Sequence, residues 1–214
     1  MTGFKNIYAI YKPDYYSDLT ALTNLAKRIS GKRNIKIEYR SVGFIYTDGS
    51  YINIPDKFKD KIEISQGFIA HEGGHIGYGS FEISFTELIK VLSKKYFLPN
   101  SLIKKVINVV EDVRINTINK LKFPGFYRNL RDYTLKLIEE IKAKMRKTGD
   151  ILLYLNLFME EYTEFQQKPK FRSREMLDDD WKSIILSKKL LLKTLTPNVS
   201  IIVSDQLCKI LKKY

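Results

Sequence analysis

The sequence is poor in the residue types on which several protein classes depend. Among 214 residues it contains one cysteine, Cys208, and two histidines. A single cysteine excludes an intramolecular disulfide framework and a cysteine-rich zinc finger, so we expect Cys208 to be a small buried apolar residue. No apolar run approaches the roughly 18 residues of a membrane-spanning helix. The first residues also lack the basic and apolar regions of a signal peptide, which predicts a soluble, cytoplasmic protein with no membrane partner.

Basic residues, by contrast, are in excess. The chain has 37 Lys and Arg against 24 Asp and Glu, a net charge of +13. The excess is evenly spread: residues 1–110 carry 16 basic and 10 acidic side chains (+6), and residues 111–214 carry the other 21 and 14 (+7). Because there is no basic block, the pattern favours a generally basic surface. Nucleic acid is a possible partner but is not favoured, and nothing in the composition indicates an oligomeric state.

The first third of the chain combines a helix with short strands. Helical spacing of apolar residues predicts a helix over Ser17–Ser30, with Ser17 as its cap. Alternation over residues 34–40 predicts a strand, and Asp48-Gly49 within residues 43–54 predicts a hairpin with a two-residue turn. We expect a small antiparallel sheet of three strands, or of four if residues 6–12 join it.

The sequence pattern predicts that the rest of the chain is helical. The predicted helices lie near residues 63–79, 83–96, 101–121, 130–146, 150–165, 175–194 and 199–213, with a break at 123–126. The fold class is therefore α+β, in a single domain. An α+β lobe over residues 1–80 precedes a mainly helical lobe over residues 81–214.

Both histidines lie in one pentapeptide, His71-Glu72-Gly73-Gly74-His75. On a helix, His71 and His75 stand one turn apart on the same face, where two neutral imidazoles can bind one zinc ion. Glu72 projects about 100° around the helix, toward a water at the metal, as the general base of an HExxH motif does. Each glycine costs roughly 0.8–1.0 kcal/mol in a helix interior, so we expect another element to pack closely there. The alternative is a chance arrangement with a structural role.

A third ligand must be a carboxylate. Hydrolytic zinc sites use three protein ligands and an open position, and no third histidine exists. Glu82 follows the motif too closely, whereas Glu87 stays an alternative. Glu111 is favoured because it interrupts a stripe of isoleucines, where a buried charge needs compensation. That compensation could instead be a salt bridge with Arg114, one turn further on. The isoleucines of the stripe are Ile103, Ile107, Ile115 and Ile118.

Asp112 belongs to a different face of the same predicted helix. It shares that face with Asn108, Asn116 and Asn119, so the carboxylate could be solvated. It could also accept the Nδ1–H of a ligand histidine from the second coordination sphere.

Three segments carry a resemblance to a known family. HEGGH at 71–75, EDVRIN at 111–116 and FPGFYRNL at 123–130 resemble, in order, the metallopeptidase domain of the cobaltochelatase T-subunit-like proteins and their relatives linked to von Willebrand factor A domains. The resemblance covers about residues 35–130. It departs from the family pattern at Asn116, where a second Glu is usual, and at Phe123, which replaces a Tyr.

Those domains are zincin-like minigluzincins, with a small sheet, an active-site helix and a glutamate helix. The resemblance implies zinc ligands His71, His75 and Glu111, the base Glu72, one Zn²⁺ per chain and hydrolysis of a peptide or protein substrate.

Other residues are candidates for contact with the substrate. The strand Ser50–Ile54 could offer its edge to an extended peptide. An oxyanion stabiliser is expected among Tyr78, Tyr127 and Tyr133, and Arg114 could brace Glu111 or a substrate carbonyl. The alternative function is a catalytically weak or inactive, metal-stabilised protein whose basic surface binds nucleic acid or protein.

Overall fold

The structure, a computed structural model, describes residues 15–131, 133 and 178–214. These residues form an α+β fold that is mostly helical and contains a small mixed sheet. The predicted strand at 6–12 and helix at 150–165 lie outside the described residues, as does most of the predicted helix at 130–146. Within the described ranges, no helix has the length and apolar character needed to cross a membrane.

The elements follow the predicted order. The helices are α1 (Tyr15–Ser30), α2 (Ile62–Gly77), α3 (Phe85–Tyr96), α4 (Asn100–Lys122), α5 (Asp178–Thr194) and α6 (Pro197–Leu211). The strands are β1 (Lys36–Arg40), β2 (Tyr46–Thr47) and β3 (Tyr51–Pro55), and short 3₁₀ turns lie at Asp56–Phe58 and Ser80–Glu82. Helix α1 begins two residues before Ser17, so Ser17 is not its cap. The predicted break after α4 is at residue 123 alone, because residues 124–131 are again helical.

The sheet differs from the predicted antiparallel one. The three described strands run in the order β1-β3-β2, with β1 parallel and β2 antiparallel to β3. Burial accounts for this order, because Ile52 and Ile54 of β3 are fully buried and a central strand shields both from water. Since β3 is paired on both sides, the segment Ser50–Ile54 has no edge to offer. The edge strands of the described sheet are β1 and β2, and β2 is the one next to α2 and Glu72.

The predicted hairpin is present, but its loop is longer than predicted. Thr47 pairs with Ile52, which leaves four residues between the paired positions instead of two. Asp48 stabilises this loop, since its Oδ1 accepts hydrogen bonds from the backbone N–H groups of Ser50 and Tyr51 at 2.8 and 3.2 Å. Gly49 takes a φ of +91°, as the turn requires.

Two apolar cores lie on either side of the contact between α2 and α4. One is enclosed by α1, the sheet and α2, and includes Leu22, Ile52, Ile54 and Ile69. The other is enclosed by α3, α4, α5 and α6; its fully buried members are Ile103, Val110, Val113, Ile184, Leu191, Val203 and Cys208. Cys208 is therefore the buried apolar residue expected from the sequence, and burial raises the pKa of its thiol to about 12.

The glycines of α2 allow the neighbouring helices to approach closely, as predicted. A Cβ atom on Gly74 would lie 2.7 Å from Cγ2 of Ile115 in α4, well inside van der Waals contact. A Cβ on Gly73 would lie 3.3 Å from Cγ2 of Ile29 in α1. The amide of Asn119 in α4 also donates to the carbonyl of Ala70 in α2 at 2.8 Å. Gly74 therefore sets the distance between α2 and α4.

The substitution Gly74→Ala tests this close approach. The new methyl must displace Ile115, and such overpacking costs about 1–3 kcal/mol. Alanine has a higher helix propensity than glycine, which stabilises the variant by about 1 kcal/mol. We expect urea unfolding to show a net loss of up to about 2 kcal/mol. Gly73→Ala is the matched control and should cost less, because its contact is looser. A Gly74→Ala protein that is more stable than the wild type, or more stable than Gly73→Ala, would show that α2 and α4 are not in such close contact.

Candidate metal centre

Helix α2 presents His71 and His75 side by side on the face that meets α4. Their Nε2 atoms lie 3.3 Å apart and their ring centroids 4.9 Å apart. Both side chains are largely buried, with 14% and 15% of their surface exposed. The two Nε2 atoms therefore point to one place, as the i, i+4 spacing predicts.

Asp112 of α4 provides a third donor at that place. Its Oδ1 lies 3.2 Å from Nε2 of His75 and 3.5 Å from Nε2 of His71. Together these three residues form a group that could hold a metal ion. The Asp112 side chain keeps 38% of its surface exposed, so the group opens to solvent on one side.

The spacing of the three donors fits zinc. Ligands at Zn–N distances of about 2.0–2.1 Å in a tetrahedral site stand about 3.3–3.4 Å from one another. The three donor–donor distances here are 3.2, 3.3 and 3.5 Å. Two imidazoles and a carboxylate are also a usual zinc donor set, and three ligands leave the fourth tetrahedral position open.

A hydrogen bond fixes the orientation of His71. Its Nδ1 lies 2.8 Å from Oδ1 of Asn116, one turn beyond Asp112 on α4. An amide oxygen only accepts, so Nδ1 carries a hydrogen, and Nε2 is the nitrogen that can bind a metal once any proton on it has been displaced. Asn116 therefore holds one histidine of the candidate metal-binding group in place.

Ser80 fixes the orientation of His75 in the same way. Its Oγ lies 3.1 Å from Nδ1 of His75 and donates its one hydrogen to Oε2 of Glu111 at 2.5 Å. The oxygen must therefore accept from Nδ1–H, and it also accepts from Nη2 of Arg114 at 2.9 Å. His75 thus also presents the lone pair of Nε2.

Glu111 does not occupy the position predicted for it. Arg114 binds its carboxylate in two places, with Nε 2.8 Å from Oε1 and Nη2 2.6 Å from Oε2. Both side chains are buried, and the arginine is fully so. Burial alone would raise the pKa of Glu111, but the Arg114 bonds and charge hold it below its usual value. The charge of Glu111 is therefore compensated by a salt bridge with Arg114, which was the alternative to a metal ion.

The geometry of α4 explains why Asp112, and not the expected Glu111, lies beside the two histidines. Glu111 and Asp112 are adjacent, so their side chains project about 100° apart around the helix. The isoleucine stripe turns Glu111 into the protein interior beside Arg114. The polar face turns Asp112 and Asn116 toward α2. Asp112 contacts Nε2 of both histidines. Asn116, and not Asp112, accepts the Nδ1–H of His71.

The metal-binding group lies in a cleft of about 560 Å³. Helix α2 contributes both histidines and Glu72. One wall is the segment 44–47, which includes the edge strand β2, and another is formed by Phe81 and Phe85. Lys104 and Asn108 of α4 extend the lining away from Asp112.

Glu72 is buried in this cleft beside the metal-binding group without belonging to it. Burial raises the pKa of its carboxyl, and the two histidines oppose this only in part. The backbone N–H of Thr47 in β2 hydrogen bonds to the carboxylate. A carboxylate with a raised pKa next to an open metal position has the properties of a general base.

The ionisation of the group indicates that a metal and a proton compete for it. Burial would lower the pKa of His71, but the hydrogen bond and charge of Asp112 raise it to about 10. Burial would raise the pKa of Asp112, but the two histidines hold it well below its usual value. Without a metal, His71 is therefore protonated at neutral pH, and a metal binds by displacing that proton.

The other predicted residues lie elsewhere. Glu82 is exposed, and Glu87 pairs on the surface with Lys90 at 2.9 Å. The rings of Tyr78 and Tyr127 lie beneath the ammonium groups of Lys122 and Lys120, at 4.7 and 5.6 Å. Tyr133 packs on Phe58 and Phe68 in the first core. None of these tyrosines lines the cleft, whereas Tyr46 does. Arg114 braces Glu111 as expected, and its full burial excludes contact with a substrate.

Comparisons of the chain with protein-family models, with curated proteins and with solved structures found no match. The function of the protein must therefore be inferred from its metal-binding group and the cleft around it.

Replacing each carboxylate separately tests the assignment. Asp112→Asn should weaken zinc binding by more than about 100-fold, the upper range for residues outside the first coordination sphere. Glu111→Gln should weaken zinc binding only about 10- to 100-fold, through His75. It should also cost about 3–5 kcal/mol of stability because Arg114 loses its buried partner. Competition with a chromogenic chelator gives the affinities, and urea unfolding gives the stabilities. The reverse pattern of zinc affinities would contradict the assignment.

Proposed function

We propose that the protein is a zinc-dependent metallopeptidase that hydrolyses peptide bonds in this cleft. One Zn²⁺ per chain would be held by His71, His75 and Asp112. The observation that carries the proposal is the tetrahedral spacing of the three donors, combined with hydrogen bonds that direct both Nε2 lone pairs to one point. An active-site helix beside a small sheet with an edge strand supports a zincin-like arrangement, in which aspartate takes the place of the expected glutamate.

The metal and the protein contribute differently to the reaction. When bound, zinc supplies a Lewis acid that polarises the scissile carbonyl and lowers the pKa of a water molecule. Glu72 accepts a proton from the attacking water at its carboxylate and passes it to the nitrogen of the leaving amine.

The edge strand is the natural place for the substrate backbone. No strand of the described chain covers the side of β2 that faces away from β3, so an extended peptide can pair with the backbone there. The N–H of Thr47 is already bonded to Glu72, which leaves the backbone of Tyr46 for this pairing. Strand β2 lines the cleft, so a peptide paired there passes beside Glu72 and the metal-binding group. Tyr46, on the same strand, replaces Tyr78 and Tyr127 as the candidate for contact with the oxyanion.

The substitution Glu72→Gln tests the catalytic role directly. Glutamine keeps the shape of the side chain but cannot accept the proton, so cleavage of a peptide library should fall by about 10²–10⁴-fold. Zinc content should stay at one ion per chain by elemental analysis. Glu82→Gln is the matched control, because that carboxylate is exposed and lies outside the cleft lining, and it should retain wild-type activity.

Two results would contradict the proposed peptidase function. Equal activity of the wild type and Glu72→Gln would show that the activity arises elsewhere. One zinc per chain with no peptide cleaved by the wild type would favour a metal-stabilised binding protein. Binding of that protein to acidic partners through its basic surface should weaken as salt rises.

A further inference from the structure

We propose that Lys104 makes the cleft selective for peptides that carry a carboxylate a few residues from the scissile bond. The carboxylate is either an Asp or Glu side chain or the C-terminus of the peptide. This inference rests on the proposed peptidase function and names a substrate class for it.

The position of Lys104 fixes where that carboxylate would bind. Lys104, Asn108 and Asp112 follow one another at intervals of four residues on α4, and all three line the cleft. Eight residues of helix span about 12 Å along its axis. An extended peptide advances about 3.3 Å per residue, so the ammonium group can meet a substrate group two to four residues from the metal.

Lys104 is free to bind such a group. Its neighbours one helical turn away are uncharged: Asn100, Ser101, Ile107 and Asn108. Within residues 15–131 and 178–214, no carboxylate forms an ion pair with it. Other surface lysines do have such partners, as Lys95 has in Asp205 at 2.7 Å. A cation that lines a cleft without a partner can be neutralised by the ligand that enters the cleft.

The rest of the cleft restricts a carboxylate to this end. Glu72 and Asp112 are acidic and lie at the metal end, where they disfavour another acidic side chain. The cleft lining also contains exposed aromatic rings, since Phe44 and Phe81 keep 71% and 46% of their surface accessible. These rings accept apolar side chains and offer a carboxylate no hydrogen bond. Lys104 is the cationic side chain among the residues that line the cleft.

Matched peptides measure this selectivity. One pair has Glu or Gln two to four residues from the cleaved bond, with a blocked C-terminus; another has neutral side chains with a free or an amidated C-terminus. Wild-type kcat/KM should favour the carboxylate member of at least one pair by about tenfold, the effect of a charge-assisted hydrogen bond. Lys104→Gln should abolish the preference, and Lys104→Glu should reverse it. Lys105→Gln, the exposed neighbour outside the cleft lining, should keep it.

The outcomes separate this proposal from the peptidase proposal. Preference for internal Glu identifies a side-chain carboxylate, and preference for the free C-terminus identifies a terminal one. Equal cleavage within both pairs, or the same loss in Lys105→Gln, overturns the selectivity. If no peptide is cleaved, the peptidase proposal fails by itself, and calorimetry on zinc-loaded Glu72→Gln decides the selectivity. Tighter binding of carboxylate peptides that depends on Lys104 supports it, and equal binding overturns it.

Discussion

The buried guanidinium of Arg114 is the group on which the arrangement of the candidate metal-binding residues depends. It holds Glu111 with two of its nitrogens, donates to Ser80, and donates to the backbone carbonyl of Tyr78 at 2.9 Å. These bonds join α4 to the segment that follows α2. Because Ser80 in turn holds His75, the ion pair connects the interior of the helical lobe to the orientation of a metal-binding imidazole. Removing one partner of such a buried pair leaves an uncompensated charge, which accounts for the strict arrangement around it.

Much of the fold and part of the site could be predicted from the sequence, because those parts depend on local spacing. Periodicity predicted helices α1 to α6 to within a few residues but missed the helical residues 124–129. The cost of two glycines in α2 pointed to the close approach of another element, which the structure shows to be α1 and α4. The mixed sheet could not be predicted in this way. A hairpin signal fixes how β2 meets β3, whereas the placement of β1 beside β3 depends on which strand the whole core buries most deeply.

The choice between Glu111 and Asp112 shows the same limit at the metal centre. A carboxylate in an apolar stripe needs compensation, and a metal ion and Arg114 satisfy that requirement equally well when only the sequence is considered. The polar stripe of α4 was the sequence feature that indicated Asp112. Asp112 and Asn116 are one turn apart on this stripe, so one can contact Nε2 of a histidine and the other its Nδ1. Which residues of α4 face α2 is decided by tertiary packing, in which Ile115 contacts Gly74 and Asp112 and Asn116 lie beside the histidines. Ser80, Thr47 and Lys104 gave no local signal, because each acts through a residue distant in the sequence.

Diffraction at the zinc absorption edge, from crystals of the wild-type protein loaded with one equivalent of zinc, locates the ion. We expect one anomalous peak, about 2.0–2.2 Å from Nε2 of His71, Nε2 of His75 and a carboxylate oxygen of Asp112, with Glu111 still bound to Arg114. A zinc ion coordinated by Glu111, or bound away from the two histidines, would exclude the proposed site.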